Sequence, residues 1–163
     1  MKWKKKEAEK EMERVMKDWK SKENGMPAQF SGVIQDSASS ATLAAVLTMR
    51  ERALNWQGNQ AGLSGAVRLR IYCSAEVHTS VDRAIWVSGV GQDNLVRIPI
   101  AGKLRGMDPV ALKAAIQADI AAGYRPAGII ACTGGTGTGA CDDLTEVVRI
   151  AKEFDLYSHI DAA

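Results

Sequence analysis

An acidic residue close to the end of the sequence is the first candidate for chemistry. Asp161 follows a short apolar stretch that begins at Leu156, and such a stretch is typical of a buried strand. A carboxylate at the tip of a buried strand can pair with a protonated ring nitrogen in a pocket. A buried aspartate that only caps a turn would give the same pattern, so Asp161 alone does not identify a site.

A hydroxyl-rich segment is the second candidate. Residues 36–40 are small and polar, and they lie between an apolar stretch at 32–35 and a helical pattern at 41–54. The first turn of a helix carries N–H groups without intrahelical acceptors and the positive end of the helix dipole. Phosphate binds at such helix starts. A serine that serves only as an N-cap is the simpler interpretation of this segment taken by itself.

His78 is the third candidate, because it stands between an apolar strand pattern and a helix that begins near Thr79. Sites in α/β folds collect at the carboxyl ends of strands. An imidazole there can stack on a flat cofactor or move a proton, or it can simply cap the helix. A Gly- and Thr-rich loop at 133–139 suggests a nucleotide-binding domain, but the first strand lacks a G-x-G-x-x-G turn.

The elements that must position these residues follow from the hydrophobic pattern. Strands are predicted near 31–35, 68–73, 94–99, 126–132 and 156–161, and helices near 40–54, 79–90, 108–122 and 142–154. Pro99 indicates an edge strand or a strand end, and Asp108 followed by Pro109 marks a helix start. The alternation predicts an α/β fold with a mostly parallel sheet and helices on both faces.

Composition excludes several classes of partner. The chain has 163 residues, of which 46% are hydrophobic, and its net charge of +2 gives no reason to expect nucleic acid. Three cysteines without metal-ligand spacing suggest free thiols in a reducing compartment, and no metal site is expected. No apolar run reaches membrane-spanning length. The protein is therefore expected to be cytoplasmic, with no membrane partner.

The first 25 residues differ from the rest of the chain. They hold nine Lys or Arg and six Asp or Glu. Their apolar residues recur at helical spacing, at Met12, Val15, Met16 and Trp19. The pattern predicts an amphipathic helical segment over residues 1–25, with at most a packing or dimer-contact role, followed by one domain over residues 26–163.

Four separated motifs together resemble the group II pyridoxal-phosphate-dependent amino-acid decarboxylases, and most nearly their aromatic-L-amino-acid branch. The motifs are residues 35–42, 75–80, 133–139 and 156–163, in the order and at the spacings of that family. The resemblance implies fold type I of the aspartate aminotransferase superfamily, with residues 26–163 as part of its large domain. It also implies pyridoxal 5'-phosphate as cofactor, an amino acid as substrate, carbon dioxide as a product and a homodimer.

The resemblance carries roles onto individual positions. The implied cofactor-binding residues are Ala38, Ser39, His78, Thr136, Asp161 and Ala163. Ala38 and Ser39 match residues that hold the cofactor phosphate. Thr136 matches a threonine under the cofactor ring, and Ala163 matches a small residue packed against it.

His78 and Asp161 are the two positions to which the resemblance gives catalytic roles. His78 matches a histidine that stacks on the pyridine ring, and Asp161 matches the aspartate that pairs with the pyridine nitrogen. Loss of carbon dioxide leaves negative charge on the substrate, which the ring accepts only while its nitrogen stays protonated. A buried carboxylate beside that nitrogen keeps the proton in place.

The sequence also departs from the family pattern. The lysine that links the cofactor in the family lies in a stretch like Asp-x-His-Lys, and no such stretch occurs among the 163 residues. The chain is therefore expected to be a central fragment that is inactive alone. The alternative is a non-catalytic α/β module that binds phosphate or cofactor. Two later strands of the family's sheet, which neighbour the strand expected at 31–35, are also missing from the pattern.

Overall fold

The computed structural model describes residues 2–23, 25–27, 31–135 and 137–163. It divides into two compact units, Met1–Asp36 and Ser37–Ala163. The first unit contains helix α1 (Lys2–Glu23), and its Met12 and Trp19 side chains are 70% and 60% exposed. The division of the sequence at residue 25 into a helical segment and a cofactor-binding domain stays a prediction.

The second unit alternates strands and helices, as the sequence predicts. Its helices are α2 (Ala38–Ala53), α3 (Gly58–Ala61), α4 (Ser80–Ser88), α5 (Pro109–Ala121) and α6 (Leu144–Glu153). Its strands are β1 (Leu69–Ser74), β2 (Leu95–Ile98), β3 (Ile100–Ala101), β4 (Gly106–Met107), β5 (Arg125–Cys132) and β6 (Tyr157–Asp161). The four long helices and the four long strands agree with the predicted ones, with small shifts at their ends.

Four strands form one parallel sheet in the order β2-β1-β5-β6. Strand β5 lies in the interior of this order. It is apolar on both sides because helices cover both faces of the sheet there. β2 lies at an edge and ends one residue before Pro99, whose carbonyl accepts the N–H of Asp108 at 2.9 Å. Proline has no N–H to donate to a neighbouring strand, and it is tolerated here because it follows Ile98, the last paired residue of an edge strand.

Helices cover both faces of the sheet, which confirms the predicted α/β architecture. On one face, Met49 of α2 and Ile85 of α4 are fully buried in a cluster with β1 and β5. On the other face, Ile116 of α5 and Ile150 of α6 form a second buried cluster. Side chains cap the starts of α2, α5 and α6. Asp108, for example, accepts from the N–H of Val110 at 2.9 Å.

The strand predicted at residues 31–35 is wrong. Val33 and Ile34 are 72% and 53% exposed, and among the described residues no segment pairs with theirs. The N–H of Ile34 instead donates to a side-chain oxygen of Glu13 at 3.2 Å. Apolar residues form a strand only where a neighbouring strand satisfies their main-chain groups, and no strand of the described residues does so here.

A short hairpin was not predicted from the sequence. β3 and β4 pair in antiparallel register, with Ile100 opposite Met107. The buried carboxylate of Asp142 accepts the N–H of Met107 and the N–H of Cys132, both at 2.6 Å. Asp142 therefore ties the hairpin to the carboxyl end of β5, close to the ends of the other strands.

Close packing of α2 on β5 depends on Gly128. A Cβ atom at this position would lie 2.5 Å from the sulfur of Met49 and 2.9 Å from the main-chain oxygen of Tyr157. We expect Gly128→Ala to lower the free energy of unfolding by about 1–3 kcal/mol through overpacking, as measured by urea denaturation. Gly137→Ala is the control, because its added Cβ meets nothing within 4 Å. Equal stability of the two variants would contradict the expectation.

Candidate functional site

The ends of three neighbouring strands meet around one cavity of the second unit, with a volume of about 120 Å³. Its lining residues are Ala38, Ser39, His78, Ser80, Cys132, Gly135, Asp161 and Ala163. The structure thus brings together five of the six positions predicted to bind a cofactor. The sixth, Thr136, lies outside the described residues. The binding and catalytic roles of these residues stay predictions.

The N-terminus of α2 forms one wall of the cavity through Ala38 and Ser39. Ser37 caps the helix, because its side-chain oxygen accepts the N–H of Ser40 at 3.3 Å. The hydroxyl of Ser40 accepts the N–H of Ser37 in return, at 3.2 Å. This reciprocal pair orients the first helical turn, whose N–H groups have no acceptor within the helix and can hold an anion.

His78 faces the same cavity, and its ring is fixed at the start of α4. Its Nδ1 accepts the N–H of Ser80 at 3.2 Å and lies 3.0 Å from the hydroxyl of that serine. His78 therefore caps the start of α4, as one interpretation of the sequence proposed. This capping is also compatible with a second role, because a bond at Nδ1 holds the ring plane and leaves the ring face and Nε2 to a ligand.

Asp161 ends β6, directly opposite Cys132 of β5 in parallel register. Its main-chain oxygen accepts the N–H of Thr133 at 2.9 Å, which holds the strand end in place. One carboxylate oxygen, Oδ1, accepts the N–H of Ala163 at 3.3 Å. No described residue donates to Oδ2, so the carboxylate keeps an oxygen for a protonated nitrogen of a ligand.

Two further titratable groups lie near Asp161. Burial raises the pKa of the Cys132 thiol, and the charge of Asp161 adds to this effect. A raised pKa disfavours the thiolate, which is the form of cysteine that acts as a nucleophile. Burial lowers the pKa of His159, although the nearby charge of Asp161 opposes that change.

Three lining residues, Ser80, Cys132 and Gly135, are absent from the sequence-based predictions. Each nevertheless had a signal in its position. Cys132 ends a predicted strand, Gly135 belongs to the Gly- and Thr-rich loop, and Ser80 follows His78 by two residues. The ends of parallel strands, and the loops and helix starts that follow them, gather at one edge of the sheet, so the reasoning that found Asp161 and His78 could have included these three residues.

The residues around the cavity fit a flat cofactor with a phosphate at one end and a basic ring nitrogen at the other. The start of α2 offers main-chain donors for a phosphate. Asp161 offers a carboxylate oxygen for a protonated ring nitrogen, and His78 offers a fixed aromatic ring. Among the described residues, no group of three or more His, Cys, Asp or Glu side chains could hold a metal ion. No described helix is long and apolar enough to cross a membrane.

The whole chain matches the family model described as the pyridoxal-dependent decarboxylase conserved domain, over residues 1–163. It is 40% identical to the aromatic-L-amino-acid decarboxylase of Sus scrofa over 165 residues, covering 94% of this chain and 33% of that protein. It is 36% identical to tryptophan decarboxylase 2 of Oryza sativa subsp. japonica over 161 residues, covering 94% of this chain and 31% of that protein.

Solved structures agree with these sequence matches. Oryza sativa TDC, solved with PLP and tryptamine, superposes with a TM-score of 0.88 at 30% identity, covering 99% of this chain and 34% of that one. Catharanthus roseus tryptophan decarboxylase, solved with L-tryptophan, also gives 0.88 at 31% identity, covering 99% of this chain and 35% of that one. The fold is thus that of the fold type I enzymes, and the chain spans about a third of the length of its relatives. By the match of its full length to the family model, the chain belongs to the pyridoxal-dependent decarboxylase family.

Proposed function

We propose that this chain forms the cofactor-holding part of an aromatic L-amino-acid decarboxylase that uses pyridoxal 5'-phosphate. The observation that carries the proposal is the convergence of the α2 start, His78 and Asp161 on one cavity. The similarity to aromatic-L-amino-acid and tryptophan decarboxylases supports the substrate class. When bound, the cofactor supplies a protonated pyridine ring that accepts the negative charge left when carbon dioxide departs.

The proposal gives a task to each residue that the sequence predicts to bind the cofactor. The N–H groups of Ala38 and Ser39 bind the phosphate with the help of the helix dipole. The Oδ2 atom of Asp161 holds the proton on the ring nitrogen, because an opposite charge at short range favours the protonated form. His78, whose ring is held by Ser80, fixes the plane in which the cofactor ring lies. Thr136 and Ala163 are proposed to contact the ring.

The chain alone is proposed to be inactive. No lysine is among the described residues that line the cavity, and Lys113 forms an ion pair with Glu153 at 2.6 Å instead. The cavity of about 120 Å³ is also smaller than the roughly 300–1,000 Å³ usual for ligand pockets. Further walls are proposed to come from a second subunit. The exposed apolar side chains of α1, such as Met12 and Trp19, support a homodimer.

The proposed compartment rests on the cysteines. Cys73, Cys132 and Cys141 are all free thiols. Free thiols persist in reducing compartments, where disulfides are rare. The cytoplasm is the proposed location on this ground.

Two measurements on the 163-residue chain test the function. Pyridoxal phosphate titrated into the chain is expected to give a saturable change in its visible absorbance, and borohydride treatment is expected to leave no covalent label. Release of carbon dioxide from tryptophan, tyrosine or dihydroxyphenylalanine is expected to stay at the rate of the free cofactor. Absence of any saturable binding would contradict the assignment of the cavity, and turnover above the free cofactor would contradict the proposed inactivity.

The alternative function is a module that binds a phosphate-bearing ligand without catalysis. The capped start of α2 supports it as well, because that feature recognises phosphate without regard to the rest of the ligand. Inorganic phosphate competing equally well as pyridoxal phosphate would favour this alternative. A clear preference for pyridoxal phosphate would favour the decarboxylase assignment, since only the cofactor also engages Asp161.

A further inference from the structure

A side-chain cluster outside the cavity joins three loops at the same edge of the sheet. The carboxylate of Glu76 accepts from Nε of Arg105 at 3.1 Å and also forms an ion pair with Nη2 of that residue. Its Oε2 atom accepts from the hydroxyl of Thr138 at 3.0 Å. We call these three residues the Glu76 clasp. Arg105 lies in the turn between β3 and β4, and Thr138 lies in the Gly- and Thr-rich loop.

The Glu76 clasp holds segments that also line the cavity. Glu76 precedes His78 by two residues, and Thr138 follows Gly135 by three. Both His78 and Gly135 line the cavity. The loop after β5 is tethered at its ends by main-chain bonds, such as that from the N–H of Gly135 to the oxygen of Ala140 at 2.9 Å. Among the side-chain hydrogen bonds of the described residues, the bond from Thr138 to Glu76 joins this loop to the segment carrying His78.

We infer that Glu76 is a positioning residue, which sets the distance between the Gly- and Thr-rich loop and the His78 ring so that a flat ligand fits between them. Glu76 does not itself touch the ligand in this inference. It acts through Thr138 on one side and through its own chain connection to His78 on the other. The inference rests on the proposed function, because it concerns the same cavity.

The charge of Glu76 is needed for this arrangement. The hydrogen bonds from Arg105 hold the pKa of Glu76 below its usual value, against a smaller opposing effect of burial, and the Thr138 bond adds to them. Glu76 therefore stays ionised near neutral pH and can accept from both partners at once. Charge-assisted hydrogen bonds are stronger and more directional than neutral ones, which suits a contact that must fix a glycine-rich loop.

Glu76→Gln and Thr138→Val break the clasp at different points. Glu146→Gln is the matched control, because Glu146 forms a comparable pair with Arg149, at 2.9 Å, within α6. Hydrogen exchange of the main chain in residues 134–140, measured without cofactor, is expected to speed up in both clasp variants and not in the control. This readout does not depend on ligand binding.

Cofactor binding supplies the second readout. Both clasp variants are expected to bind pyridoxal phosphate about two- to fivefold more weakly, in keeping with an exposed charged contact. They are also expected to change the circular dichroism of the bound cofactor per unit absorbance. Arg105→Lys keeps a cation beside Glu76, so this variant is expected to retain much of the wild-type affinity and circular dichroism. Faster exchange with unchanged affinity and dichroism would overturn the positioning role, as would unchanged exchange.

The readouts separate this inference from the proposed function. If the wild-type chain shows no saturable binding of pyridoxal phosphate, the proposed function fails and the positioning role fails with it. If the wild type binds and the clasp variants bind equally well, only the inference about Glu76 fails. Weaker binding in Thr138→Val as well as in Glu76→Gln supports the inference, because the two changes share only the contact between the loops.

Discussion

Asp161→Asn is expected to weaken binding of pyridoxal phosphate to this chain by about ten- to a hundredfold. A hydrogen bond to a charged partner contributes roughly 1.5–3 kcal/mol, and each 1.4 kcal/mol corresponds to about a factor of ten in affinity. The amide keeps the size of the side chain but loses the charge that holds a proton on the ring nitrogen. Titration of the cofactor, followed by its absorbance, measures the change.

Asp155→Asn is the control for this result. Asp155 lies in the turn before β6 and is 92% exposed at its side chain, where it pairs with Arg52 at 2.7 Å. Losing that charge changes the net charge of the chain as much as Asp161→Asn does, yet it is expected to leave cofactor affinity unchanged. Equal loss of affinity in the two variants would mean that overall charge, rather than a bond to the ring nitrogen, controls binding.

Asp142→Ala is expected to lower the free energy of unfolding by about 2–6 kcal/mol. Asp142 is only 4% exposed, and its two oxygens accept the N–H groups of Met107 and Cys132. Alanine leaves both donors buried without an acceptor, at roughly 1–3 kcal/mol each. Urea denaturation followed by far-ultraviolet circular dichroism measures the loss.

The neighbouring Asp143 gives a matched comparison. It caps α6 by accepting the N–H of Glu146 at 3.1 Å, and removing a cap of this kind costs about 1 kcal/mol. Asp143→Ala is therefore expected to destabilise the chain clearly less than Asp142→Ala. If the two variants lose similar free energies of unfolding, the two hydrogen bonds of Asp142 contribute no more to stability than the single helix cap of Asp143.

The α/β architecture was predictable because its determinants are local. The apolar stretch that becomes β5 is continuous, which is typical of a central parallel strand, and Asp108 with Pro109 starts α5 as expected. The failure at residues 31–35 has the opposite origin. An apolar stretch specifies that a segment can be a strand, but a strand also needs a neighbour, and the local sequence does not say whether one is present.

The candidate site was predictable to the extent that its residues end strands or begin helices. Asp161 and His78 do so, and both line the cavity. Asp142 and the Glu76 clasp could not be found in this way, because their partners lie far away along the chain. The N–H of Met107 and the guanidinium of Arg105 meet carboxylates only after β3 and β4 have formed a hairpin. Gly102 and Gly106 indicate a turn in the sequence, but the two-residue strands beside it are too short to give an alternating pattern of their own.

The strand order of the sheet has a consequence for how the chain folds. β1 pairs with β2 across α4, and β5 pairs with β6 across α6, whereas the connection between the paired strands β1 and β5 contains α4, the strands β2, β3 and β4, and α5. Closing a longer stretch of chain loses more conformational entropy before the contacts that offset this loss can form. The two outer pairs can therefore assemble early, each with an unpaired inner edge. Joining β1 to β5 is the expected slow step, and until it occurs the strand ends that surround the cavity remain in two separate halves.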